Sequence, residues 1–144
     1  MGCRSFFSSL ALLPTMDFLF PLEVAGADWI FTEKDDEGLW GYDAEMMEHF
    51  PDHQVKVRTR KIYDRKAVLA AMEKYGKGYE DLDHVLAEWE IACFQRKFYL
   101  HSTIFYSKEN VAIERYQSEK EGALTPEEIP PDSYLELLRR KVCR

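Results

Sequence analysis

The chain has 144 residues, the usual size of one domain, and 46% of them are hydrophobic and 14% aromatic. Such a composition excludes an intrinsically disordered chain, which would be poor in aromatic residues. The formal net charge of −7 argues against non-specific binding of the whole molecule to nucleic acid or to an anionic membrane, because both are negatively charged. No apolar run is as long as a membrane-spanning helix.

The N-terminal region is ambiguous. Residues 4–13 resemble the start of a signal peptide, but Asp17 and Glu23 interrupt the pattern before any cleavage site. We therefore predict a loosely held extension over residues 1–16 and one α+β domain over residues 17–144. The expected location is cytoplasmic, with secretion as the alternative.

The three cysteines, Cys3, Cys93 and Cys143, are an odd and widely spaced set. Metal sites use close pairs, and disulfide scaffolds use a higher density of cysteine. The pattern predicts reduced thiols, with a bond between Cys3 and Cys143 as the alternative.

The first predicted elements are two strands joined by a polar loop. Residues 29–31 and 39–42 are aromatic and strand-favouring, and residues 34–38 between them are polar and end in glycine. We expect a hairpin whose aromatic side chains share one face. Residues 44–50 then predict one or two helical turns, ended by Pro51.

Residues 54–63 predict a half-buried strand because their side chains alternate in character with a period of two. One face would carry Val55, Val57 and Thr59, and the other Lys56, Arg58 and Arg60.

Two helices are predicted next. Asp64 is a suitable N-cap for a helix over residues 65–75, which Gly76 ends. Residues 80–98 place Leu82, Val85 and Trp89 on one helical face, so residues 65–98 predict an αα-hairpin. Residues 100–118 favour a β-hairpin, with a helix as the alternative.

The C-terminal region contains two capping-box patterns, which begin at Thr125 and Ser133 and predict helix starts. The second helix would run to Val142. The predicted fold is therefore a small α+β domain: a short antiparallel sheet, made of the hairpin and the basic strand, packed on the αα-hairpin and a short C-terminal helix.

Positive charge is concentrated in residues 53–66, which hold six basic residues and one acid. This segment carries +5, so the rest of the chain carries −12. The candidate binding residues are Lys56, Arg58, Arg60 and Arg65, since clustered cations bind phosphate or carboxylate. Three interpretations remain open: pairing with acidic segments of the same chain (residues 34–37 or 119–121), an acidic partner protein, or nucleic acid.

No catalytic residue, cofactor or metal site is predicted. Glu45, His49 and His53 recur at intervals of four, as do Glu80 and His84 with Glu88, but neither trio has a specific metal-binding pattern. The second trio predicts a solvated helix face.

These features predict a non-enzymatic protein that binds another macromolecule, most simply a protein, as an adaptor, inhibitor or regulatory subunit. Self-association into a homodimer is compatible with the same features. The alternative is a small phosphate- or nucleic-acid-binding enzyme, in which the basic strand holds the substrate and His49 or His53 is the general base. A pocket that holds both histidines and at least two of the cations would favour the enzyme. A flat, salt-bridged basic face would contradict it.

Overall fold

The computed structural model describes residues 27–118 and 125–143. Within these residues, eight strands form one antiparallel sheet, in which β1, β2, β4, β5, β6 and β7 are neighbours in that order. The short strand β3 pairs with β4, and β8 pairs with β6. The strands are β1 (Trp29–Lys34), β2 (Gly38–Asp43), β3 (Glu48–Phe50), β4 (Gln54–Tyr63), β5 (Leu82–Ala92), β6 (Lys97–Ser107), β7 (Ala112–Gln117) and β8 (Glu127–Glu128). The helices are α1 (Arg65–Tyr75) and α2 (Tyr134–Val142), and a 3₁₀ turn spans Lys77–Tyr79.

The two faces of the sheet differ, and β4 shows how. Its residues alternate between buried and half-buried, because successive side chains of a strand point to opposite faces. We call the face with Val55 and Val57 the back face, and the face with Lys56, Arg58 and Arg60 the front face.

Helix α2 packs on the back face and completes the core. Its buried Leu138 and Val142 belong to one hydrophobic cluster with Val55, Val57 and Ile91 of the sheet. The helix begins at Ser133, whose side chain accepts a hydrogen bond from the Glu136 amide. A disulfide joins Cys143, at the end of α2, to Cys93 in the turn after β5.

Helix α1 also lies on the back face, at the opposite end of β4. The Asp64 carboxylate caps it by accepting a hydrogen bond from the Ala67 amide at 2.8 Å. The 3₁₀ turn that follows places Tyr79 against Phe105 of β6, with ring centroids 6.1 Å apart.

Several predicted elements are confirmed. The strands of the first hairpin are β1 and β2, the basic strand is β4, and Asp64 caps α1. Residues 100–118 contain the β6–β7 hairpin rather than a helix. Ser133 begins the C-terminal helix as the capping box predicts.

The predicted fold class is wrong, because the molecule is mostly antiparallel sheet and contains no αα-hairpin in its described residues. The predicted second helix is strand β5. Its sequence suits both structures: Leu82, Val85 and Trp89 match a helical stripe, while Ala87, Trp89 and Ile91 alternate with acids as in a strand. Strand geometry prevails because β4 and β6 hydrogen-bond to β5 on both sides.

Three smaller predictions are also wrong. Residues 48–50 form a strand instead of helical turns because they pair with the start of β4. The Thr125 capping box begins no helix, since Glu127 and Glu128 pair with β6 as strand β8. The thiols of Cys93 and Cys143 are oxidised to a disulfide, which the wide spacing in sequence concealed.

Some predictions fall outside the described residues. These are the N-terminal extension, its boundary at residue 16, the signal-like segment, Cys3 and the acidic residues 119–121. In the part of the chain that is described, neither helix has the length and apolar character needed to cross a membrane.

Candidate functional site

The predicted cations of β4 lie together on the front face. Lys56, Arg58 and Arg60 alternate with buried residues along the strand. The side chains of Lys56 and Arg58 are 35% and 37% exposed. The structure thus places three of the four predicted binding residues on the same face of one strand.

Lys56 is neutralised by the neighbouring strand. Its ammonium lies 2.8 Å from the carboxylate of Glu88 on β5, and that hydrogen bond raises the pKa of Lys56. Glu48 and Glu90 add further negative potential at this position. Lys56 therefore contributes little free positive charge to the face.

Arg58 has a structural role. It donates a hydrogen bond of 3.0 Å to the carboxylate of Asp43, which is completely buried. The other oxygen of that carboxylate accepts hydrogen bonds from the backbone amides of Asp28 and Glu45. A buried carboxylate needs such partners, so Arg58 stabilises the packing of β2 against β4.

Arg60 differs from both neighbours. Its Nε atom is buried and has no hydrogen-bond partner. Among the described residues it also forms no ion pair. The guanidinium lies 6.0 Å from the centre of the Trp29 ring, which orients it without neutralising it.

Apolar side chains surround Arg60 on the front face. The register places Gly41 and Phe31 on one side of it, and Leu86 and Ile104 on the other. Because Gly41 has no side chain, the Phe31 ring occupies that space: an added Cβ would lie 2.7 Å from the ring. The neighbouring line of residues across the strands, also on the front face, consists of Leu39, Ile62, His84 and Tyr106.

This apolar surface is accessible in part. Phe31 and Leu39 are 37% and 36% exposed, whereas Ile62, Leu86 and Ile104 are half-buried. His84 is buried and stacks on Tyr106, with ring centroids 5.0 Å apart. We refer to Trp29, Phe31, Leu39, Arg60, Ile62, Leu86, Ile104 and Tyr106 as the front patch.

The remaining candidates lie elsewhere. His49 is paired with Val55, so it belongs to the opposite face from the cations. His53 lies in the turn before β4, where its ring contacts Phe94. Arg65 is in the first turn of α1 and lines a separate pocket, beside Glu80 and Asp81. The arrangement that the enzyme would need is therefore not formed by these residues.

Lys61, one of the six basic residues in the segment 53–66, pairs with acidic residues of the same chain. It is 4% exposed, lies on the back face and forms ion pairs with Asp35 and Glu37 of the β1–β2 loop. Its ammonium is also 4.6 Å from the centre of the Trp40 ring. Lys61 is not one of the predicted binding residues; of those, Lys56 and Arg58 pair with Glu88 and Asp43 and not with the segment at 34–37.

The sequence did not predict the apolar residues of the front patch as part of a binding site. We expected the aromatic residues of the first hairpin to share one face, but Trp29 and Phe31 lie on the front and Trp40 on the back, where it stacks on Tyr134. The period-two rule groups residues within one strand, but only the β1–β2 register places Trp29 and Phe31 on the face opposite to Trp40.

Among the residues that the structure describes, no three histidine, cysteine or acidic side chains form a group suited to a metal ion. No protein-family model matches the sequence, and comparisons with curated proteins and with solved structures gave no significant match.

Proposed function

We propose that this protein is a non-catalytic binding protein that recognises another protein through the front patch. The observation that carries the proposal is Arg60, whose guanidinium forms no ion pair with any described residue and is set among apolar and aromatic side chains. Arginine and aromatic residues contribute most to the binding energy of many protein interfaces. The expected ligand is a segment that presents a carboxylate next to an apolar side chain.

The charges of β4 favour a protein over nucleic acid. A polyanion gains affinity from several free cations, but Glu88 neutralises Lys56 and Asp43 neutralises Arg58. Of the three β4 cations, Arg60 alone forms no ion pair among the described residues, and one guanidinium suits a single carboxylate, which it binds with two parallel hydrogen bonds. The half-buried Leu86 and Ile104 beside it would exclude water and strengthen that contact.

The test compares the wild-type protein with Arg60→Glu. Arg60 is the suitable position because its replacement removes no salt bridge, whereas reversal of Arg58 would leave buried Asp43 without its cation. Immobilised protein is incubated with extract of the source cells, and bound proteins are quantified by mass spectrometry. We expect a specific partner whose recovery falls at least about tenfold with Arg60→Glu.

The matched control is Lys77→Glu, which makes the same change of charge at an exposed position in the 3₁₀ turn. Recovery of the partner should be unchanged by this variant. Equal recovery with Arg60→Glu and Lys77→Glu would show that binding follows net charge and would refute the proposal. A second copy of the chain as the ligand would appear as a dimer in sedimentation that Arg60→Glu dissociates.

A further inference from the structure

A cavity between α1 and the sheet is independent of the front patch. It has a volume of about 370 Å³, within the ~300–1,000 Å³ range of small-molecule sites. We call it the α1 cavity. It lies on the back face, and its proposed role does not depend on the function proposed for the front patch.

The cavity exists because α1 presents short side chains to the sheet. Ala67, Ala70 and Ala71 line it and recur at spacings of three and four, so they share one side of the helix. Only Ala67 of this helix is buried. Larger residues at these positions would fill the space between helix and strands, as Leu138 and Val142 do beneath α2.

The walls of the cavity are largely aromatic. Tyr63, Tyr75, Tyr79 and Phe105 line it together with Leu82. The rings of Tyr75 and Tyr79 are 5.2 Å apart, and Tyr79 meets Phe105 edge-to-face. Rings held in this way form a rigid surface on which a planar molecule can stack.

The wall also provides a polar group. Tyr63 is half-buried, and burial raises its pKa to about 12. Its phenol, like that of any tyrosine, is protonated at neutral pH and can donate a hydrogen bond to a ligand in the cavity.

The charges at the mouth are unequal. Lys66 and Lys74 of α1 and Asp36 and Glu37 of the β1–β2 loop border the cavity. Glu37 is paired with Lys61, whereas neither Lys66 nor Lys74 forms an ion pair among the described residues. Two free ammonium groups therefore face one free carboxylate, that of Asp36, and the mouth favours an anion.

We propose that the α1 cavity binds a small planar aromatic molecule that carries one anionic group. The ring packs between Tyr79 and Phe105, face-on to one and edge-on to the other, and the anionic group lies at the mouth near Lys66 and Lys74. The alanines set the depth of the site, because any larger side chain there would occupy the position of the ring.

The test uses 1-naphthoate as the probe and the uncharged 1-naphthamide as its matched control. Titrations of the ¹⁵N-labelled full chain are followed by NMR. We expect 1-naphthoate to shift the amide signals of α1, the 3₁₀ turn and Phe105, and to bind about three- to tenfold more tightly than 1-naphthamide. Signals that shift on the front face instead, or no shift at millimolar probe, would overturn the proposal.

Two kinds of variant locate the site. Ala71→Phe should fill the cavity and weaken binding at least about tenfold, while Ala71→Ser preserves the space and should bind normally. Lys66→Gln with Lys74→Gln should reduce the affinity for 1-naphthoate to that for 1-naphthamide, whereas Lys77→Gln should not. These exposed lysines do not support the core, so their result stands even if Ala71→Phe fails to fold. Equal affinity in wild type and the double lysine variant would refute the role of the mouth.

Discussion

The three cations that β4 presents on the front face have the same alternating position and different roles. Arg58 compensates the completely buried Asp43, Lys56 pairs with Glu88 at a partly exposed site, and Arg60 has no carboxylate among the described residues. Each role depends on which carboxylates of the neighbouring strands lie within reach: Glu88 of β5 for Lys56 and Asp43 of β2 for Arg58. Substitution of these residues should therefore affect the protein in different ways.

Arg58→Met should lower the free energy of unfolding by about 2–3 kcal/mol, because it leaves the Asp43 carboxylate buried with only its two backbone partners. Arg60→Met keeps the aliphatic part of the side chain and removes no salt bridge, so it should change that energy by less than about 1 kcal/mol. Urea denaturation of both variants measures the difference. Equal losses would show that Asp43 does not depend on Arg58.

Two elements each depend on specific close contacts. At the β2–β4 pairing, Gly38 lies opposite Tyr63 and next to Ile62. At the start of α2, the Glu136 carboxylate accepts hydrogen bonds from Arg139 and Arg140. Each contact makes its element sensitive to one substitution.

Gly38→Ala should destabilise the protein by about 2 kcal/mol or more, because an added Cβ would lie 1.9 Å from the backbone oxygen of Ile62. The matched control is Gly78→Ala, where an added Cβ meets no atom within 4 Å, and the effect should be below about 0.5 kcal/mol. Thermal and urea unfolding compare the two variants. Similar midpoints would contradict the close approach of β2 and β4.

Glu136 should make α2 sensitive to acid. The hydrogen bonds from Arg139 lower the pKa of Glu136 from 4.5 to about 2. A lowered folded-state pKa stabilises the protein above the unfolded value, and this contribution is lost as the pH falls from about 4.5 towards 2. Glu136→Gln should therefore be less stable than wild type by about 2 kcal/mol at pH 7 and nearly equal to it at pH 2. Urea unfolding of both proteins between pH 2 and pH 7 measures the difference in stability. A difference that does not change with pH would refute the lowered pKa of Glu136.

The sequence predicted the elements whose signals are local, and it missed those that depend on distant partners. The cap at Asp64 and the alternation of β4 are local, and both are confirmed. Strand β5 has an ambiguous pattern, and its pairing with residues up to 38 positions away, as between Gln54 and Ala92, decides its structure. The front patch could be predicted only in part: Arg60 stands out in the sequence within the basic strand, while Phe31 and Leu86 join it only through the register.

At the scale of the whole molecule, the two proposed binding sites lie on opposite faces of the sheet. The front face carries the patch around Arg60, and the back face carries both helices, the core and the α1 cavity. The disulfide between Cys93 and Cys143 spans 50 residues and links the C-terminal helix to the turn after β5. It therefore constrains about a third of the chain.

Removal of this disulfide should destabilise the folded state by about 2–4 kcal/mol, because the link restricts the unfolded chain over a long loop. The variants Cys93→Ala and Cys143→Ala should have the same effect as each other and as the double variant, since each breaks the same bond. Peptide mapping without reductant should recover the two cysteines in one linked fragment. Separate fragments would show that the thiols are reduced.

Strand β5 is hydrogen-bonded to β4 on one side and to β6 on the other over nearly its whole length. Its amides are accessible to solvent deuterium only when the sheet itself opens, so they should exchange through global unfolding alone. Hydrogen exchange at β5 would then report the total stability of the molecule, while α1, with one buried residue, should open locally and exchange far sooner. A substitution that destabilises α1 would therefore speed exchange in both α1 and β5, because global unfolding includes the unfolding of α1. The strand that resembles a helix in sequence thus gives the most direct measure of the stability of the sheet.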